Sequence, residues 1–134
     1  MSRALRYIWA FPATVLGLIL AAPCVAAGGS ARLFAGVLEI TAEPLVAALR
    51  RRGLFRGSLA ITFGHVVLAS EAPFLALSRA HERVHVRQYE RWGVLFFPLY
   101  VLSSVVAFIT GHDPYTSNRF EQAAARHESE HAVA

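Results

Sequence analysis

A chain of 134 residues fits one domain with a modest core, and 55% hydrophobic against 16% charged residues, with a mean hydropathy of +0.44, is unusually apolar for a soluble protein and points to membrane contact. The net charge of +4 comes wholly from arginine, since the chain has no lysine. No basic groove interleaved with aromatics appears, which sets nucleic-acid binding aside, and the single Cys24 excludes an intrachain disulfide.

Between Arg6 and Arg32 no charged residue occurs. Residues 7–27 are long enough for one bilayer crossing at about 20 residues, with Tyr7 and Trp9 as interfacial anchors. Arg3 and Arg6 suggest a cytoplasmic N-terminus, as in a bacterial-type inner membrane. A signal peptide is the rival, with small residues Val25-Ala26-Ala27 before Gly28, but the apolar run exceeds the usual signal core, so a retained anchor over residues 1–30 is expected. Residues 31–134 then form a small separate domain.

Gly28-Gly29-Ser30 reads as a linker, and GVLEIT (36–41) as a strand. Glu43-Pro44 opens a short helix that Gly53 closes after Arg50-Arg51-Arg52, which with Arg56 can lean on anionic lipid headgroups. SLAITFGHVVLA (58–69) is a strand, or a hairpin around Phe63-Gly64.

Glu71-Ala72-Pro73 leads into a helix over about 74–92, which Gly93 ends. It carries His81-Glu82-Arg83-Val84-His85, the H-E-x-x-H pattern of zinc hydrolases. Two histidines four apart stack on one helical face and can converge on one ion, and the glutamate one step along can take a proton from water acidified there. His81, His85, Gln88 and Trp92 make one stripe. Residues 127–131 (HESEH) also satisfy the pattern, but only Ala132, Val133 and Ala134 follow, so this copy reads as a polar tail.

A zinc site needs a third protein ligand, and the downstream candidates are Glu90, His112, Asp113, Glu121 and the tail. Glu121 stands at the start of an alanine-rich helix that Ser117 or Asn118 can cap. His65 can lie near a substrate paired to its strand, and His112 or Tyr115 can donate to an oxyanion.

HERVHVRQYERWG, a hydrophobic segment, then NRFEQAAARHE, together with the preceding AITFGHVVLA, resemble the gluzincin branch of zincin metallopeptidases in its small membrane-associated versions, over roughly residues 58–128. The resemblance implies Zn2+ held by His81, His85 and Glu121, with Glu82 as general base. It departs where gluzincins often carry an aspartate that holds a ligand imidazole. Ala124 and Ala125 occupy that region, so support for the imidazoles must come from elsewhere.

Geometry constrains the second apolar run, VLFFPLYVLSSVVAFITG (94–111). A full bilayer crossing there would leave Glu121 on the face opposite His81 and His85. The chain is therefore expected to reverse near Gly93 and pack antiparallel, with residues 101–105 level with the two histidines. The expected architecture is α+β, mostly helical with a small antiparallel β element, an N-terminal transmembrane helix and a second hydrophobic helix packed on the motif helix. The expected function is a membrane-associated zinc-dependent peptidase whose partners are membrane lipid and a peptide or protein substrate. The alternative is a non-catalytic membrane protein binding a partner or lipid, its histidines solvated or its metal structural.

Overall fold

The computed structural model describes residues 2–43, 47–48, 51–52 and 60–132. Ser2 opens helix α1 (Arg3–Ala26) by accepting a hydrogen bond from the Leu5 amide at 3.4 Å. Strands β1 (Ser30–Phe34) and β2 (Val37–Thr41) form an antiparallel hairpin whose turn has Ala35 and Gly36 both at positive φ. β1 was not expected: the linker reading reached only its first residue, Ser30, and all five of its residues are exposed. The expected helix from Glu43 to Gly53 falls mostly outside the described residues, as do Arg50 and Arg56.

Strands β3 (Ala60–Phe63) and β4 (Val66–Ala69) form the expected hairpin, turning at Gly64-His65. The sheet order is β1-β2-β4-β3, and β2 pairs with β4 in parallel, so the sheet is mixed and not purely antiparallel as expected. The hairpin folds inward, giving the middle position to VVLA, a strand apolar on both faces. Val66 and Leu68 point to one side, with Ile40, Ala21 and Cys24, while Val67 and Ala69 point to the other, with Val37, Leu75 and Val86. The sheet thus lies between α1 and helix α2 (Ala72–Trp92). Full burial of several aliphatic side chains here stabilises the sandwich by about 1.5–3 kcal/mol each.

Helix α1 is a wall of this core as well as an apolar segment. Its Gly17 approaches so closely that a Cβ there would stand 2.7 Å from Val66 Cβ. Its outer face is bare, with Ile8, Phe11 and Ile19 each at least 60% exposed. Buried Glu39 on β2 is compensated by Arg79 of α2, which donates to both carboxylate oxygens at 2.8 and 3.0 Å and so fixes the helix across the sheet.

After α2 the chain passes Gly93 into a short 3-10 turn (Gly93–Leu95) and helix α3 (Phe96–Ile109). Gly93 has φ +57, and a Cβ there would lie 2.6 Å from the Trp9 indole nitrogen. Gly93→Ala is expected to cost about 1–3 kcal/mol, seen as a lower unfolding midpoint in detergent. The chain turns here, and the start of α3 meets α2: Phe96 packs edge-on against Tyr89 (ring centroids 4.4 Å) and Tyr100 faces His85 (6.4 Å). Tyr100, the residue just before the expected 101–105, thus lies beside His85, and Ser104 lines the same cavity. Beyond Tyr100 most apolar side chains of α3 are exposed, Phe108 at 69% and Ile109 at 72%. By length and composition, Arg3–Ala26 and the run Ala72–Ile109 are both apolar enough to cross a membrane.

Helix α4 (Arg119–Ala132) returns along α2. Asn118 starts it, accepting from the Phe120 amide (2.9 Å) and donating to Tyr100 O (3.0 Å) and Ser104 Oγ (2.7 Å). Fully buried, Asn118 locks the first turn of α4 to α3.

Candidate metal centre

Helix α2 puts His81 and His85 one turn apart, and α4 brings Glu121 to them. His81 Nε2 lies 3.0 Å from Glu121 Oε2, His85 Nε2 lies 3.2 Å from His81 Nε2, and His85 Nε2 lies 3.4 Å from Glu121 Oε1. Ligands about 2.0–2.1 Å from one ion at the tetrahedral angle stand roughly 3.3 Å apart, so the spacing suits zinc. Among the described residues this is the group of histidine and carboxylate side chains that could hold a metal ion; Glu90, His112 and Asp113 are not in it. Glu121 thus meets both histidines, the convergence on which the expected fold-back of residues 94–110 rests.

The donor chemistry agrees with the spacing. Gln88 donates its amide nitrogen to Phe120 O at 3.1 Å, which leaves Gln88 Oε1 as an acceptor for His85 Nδ1 at 2.8 Å. Glu128 Oε2 stands 3.4 Å from His81 Nδ1. With both Nδ1 atoms turned to acceptors, two Nε2 atoms and a carboxylate face one point and need positive charge among them. A proton can bridge one pair at a time, whereas a divalent cation satisfies all three. Burial alone would raise Glu121, but hydrogen bonds with His81 and His85 and from the Tyr100 hydroxyl (2.6 Å) outweigh it and hold the carboxyl well below the usual range. The group therefore stays ionised, as a metal ligand must.

Glu82 is 4% exposed and accepts a hydrogen bond from Thr62 Oγ1 of β3 at 2.6 Å. It lines a cavity of about 780 Å³ with His85 and Glu121, between β3 and the wall made by α3 and the loop after it. Tyr115 is on that wall. The loop is braced by Asp113, which accepts from the Tyr115 and Thr116 amides and the Thr116 hydroxyl at 2.7–3.0 Å.

Two candidate participants lie elsewhere. His65, in the β3–β4 turn, is buried against α1, stacked on Tyr7 at 4.0 Å and 3.2 Å from Glu90. His112 is exposed and bonds Thr110. The tail copy of the motif is not free of the site, since Glu128 supports His81 and His127 Nε2 lies 3.0 Å from Arg87. Sequence reasoning also passed over Thr62, Gln88 and Tyr100. Gln88 lay on the histidine stripe, and Tyr100 was the one hydroxyl-bearing ring in an apolar run. No protein-family model, curated protein or solved structure matches this chain.

Proposed function

We propose that this chain is a membrane-associated, zinc-dependent hydrolase acting on peptide bonds, with His81, His85 and Glu121 as metal ligands and Glu82 as general base. The observation that carries the reading is the meeting of three ligand atoms, all within 4.8 Å of one another, beside a buried glutamate and an open cavity. A solvated-histidine alternative is disfavoured because His85 is 7% exposed. A purely structural metal is disfavoured because structural zinc sites are closed, whereas this group opens on a cavity.

Zinc bound there would supply a Lewis acid that acidifies water at neutral pH. Glu82 would take up the proton of the attacking water and return it to the amine released as the C–N bond breaks. Thr62 holds the carboxylate from the other side, and Gln88 and Glu128 keep the imidazoles aimed. β3 is the end strand of the sheet, and its backbone borders the cavity, where an extended peptide can pair. Aromatic walls from Phe63, Phe96, Phe97 and Tyr115 favour a bulky apolar residue beside the scissile bond. The bare faces of α1 and α3 support work at a membrane surface.

Metal analysis tests the assignment. The purified protein is expected to carry about one zinc per chain, lost in His81→Ala and kept in His131→Ala. Zinc that follows His131 instead, or none in the wild type, would refute it. Glu128→Ala should weaken zinc binding about 10–100-fold in a chelator competition, as loss of an outer-shell partner does. Unchanged affinity would remove Glu128 from the site.

A further inference from the structure

On the side of α2 away from the metal-ligand group, a second cavity of about 360 Å³ lies among the start of α1, the β1–β2 turn and α2. Four guanidinium groups line it, Arg3 and Arg6 from α1 and Arg83 and Arg87 from α2, against one carboxylate, Glu90. That carboxylate is already engaged, 3.2 Å from His65 and 3.7 Å from Arg6. Nearby Glu39 offers little relief, because Arg79 occupies both its oxygens and Arg83 reaches it only at 3.8 Å.

The walls are held in place. Tyr7 donates to Gly36 O at 2.9 Å and stacks on His65, and Arg83 donates to Phe34 O and Ala35 O of the β1–β2 turn. Concentrated positive charge in a concave site with several N–H donors per guanidinium is the chemistry of phosphate recognition. Beside the basic end, Leu5, Ile8 and Phe11 form an exposed apolar strip along α1, as a site at headgroup depth would have.

We propose that this cavity binds a phosphate group, drawn either from an anionic lipid headgroup, whose acyl chains would lie along α1, or from a free phosphate. The site shares no side chain with His81, His85 and Glu121, although Arg87 also reaches His127 of α4 at 3.0 Å.

The intact protein in detergent is presented separately with phosphatidylglycerol, phosphatidylcholine and inorganic phosphate. Native mass spectrometry follows the lipids, and a thermal-shift titration follows the phosphate. Retention of phosphatidylglycerol over phosphatidylcholine is expected, falling about fivefold for each arginine removed in Arg3→Gln, Arg6→Gln or Arg87→Gln. Arg91→Gln, which removes a charge that lies over the Trp92 ring, should bind as the wild type does. If inorganic phosphate stabilises the wild type but not Arg87→Gln, and phosphatidylglycerol is not retained, the cavity stands with a soluble source. The proposal is overturned if neither probe binds, if the three cavity variants bind as the wild type does, or if Arg91→Gln loses as much as they do. Melting of each variant without ligand, expected near the wild-type midpoint, separates lost binding from lost folding.

Discussion

Glu82→Gln is expected to keep its zinc and lose about 10²–10⁴-fold in hydrolysis of peptides with bulky apolar residues, the usual contribution of a positioned general base. The substitution is nearly isosteric, and the amide can still accept from Thr62 Oγ1, so the buried packing around the 4%-exposed side chain survives. What disappears is the ability to take a proton. The pairing of results is therefore diagnostic: retained metal with lost turnover assigns proton transfer to Glu82. Retained metal with undiminished turnover would end the catalytic reading. A variant that lost both would show that Glu82 also holds the group together, and Thr62→Val, which removes the hydrogen-bond donor alone, would then report on the carboxylate separately.

Glu121→Gln is expected to reduce zinc affinity by more than the 10–100-fold typical of an outer-shell change. An amide cannot supply the negative charge that two neutral imidazoles lack, and its neutral oxygen is a poor zinc donor. Tyr100 and both histidines stay next to an uncharged group, so the cost falls on the metal and less on the fold. Chelator competition reads the effect directly. An affinity equal to that of the wild type would mean that the cation, if bound, is held by other residues.

The motif helix was legible because the spacing of His81 and His85 is itself the geometry of a helical face, and Gly93 was a plain stop. Glu121 became legible only in combination, through the requirement for a third ligand and the capping residue just before it. β1 was not legible: Ser-Ala-Arg-Leu-Phe buries nothing, and only pairing to β2 makes it a strand. The parallel β2–β4 pairing joins strands that are not neighbours in sequence, and no local pattern encodes that. The position of His65 was hidden because it falls at the hairpin turn, where period-two alternation stops assigning faces. Glu128 was hidden by its own surroundings. It sat in a second copy of the motif that invited judgement as a separate site, whereas two helical turns beyond Glu121 it faces His81. Glu128 thus supplies an acceptor beside His81 Nδ1 where Ala124 and Ala125 cannot.

The shared cation is tested most directly by X-ray absorption at the zinc edge on the metal-loaded protein. The expected first shell has two imidazole nitrogens at about 2.0–2.1 Å and carboxylate oxygen at about 2.0–2.2 Å, with light-atom occupancy completing it. That oxygen contribution should change in Glu121→Gln, and the imidazole scattering should fall in His85→Ala. A shell without imidazole, or one that neither substitution alters, would contradict the account.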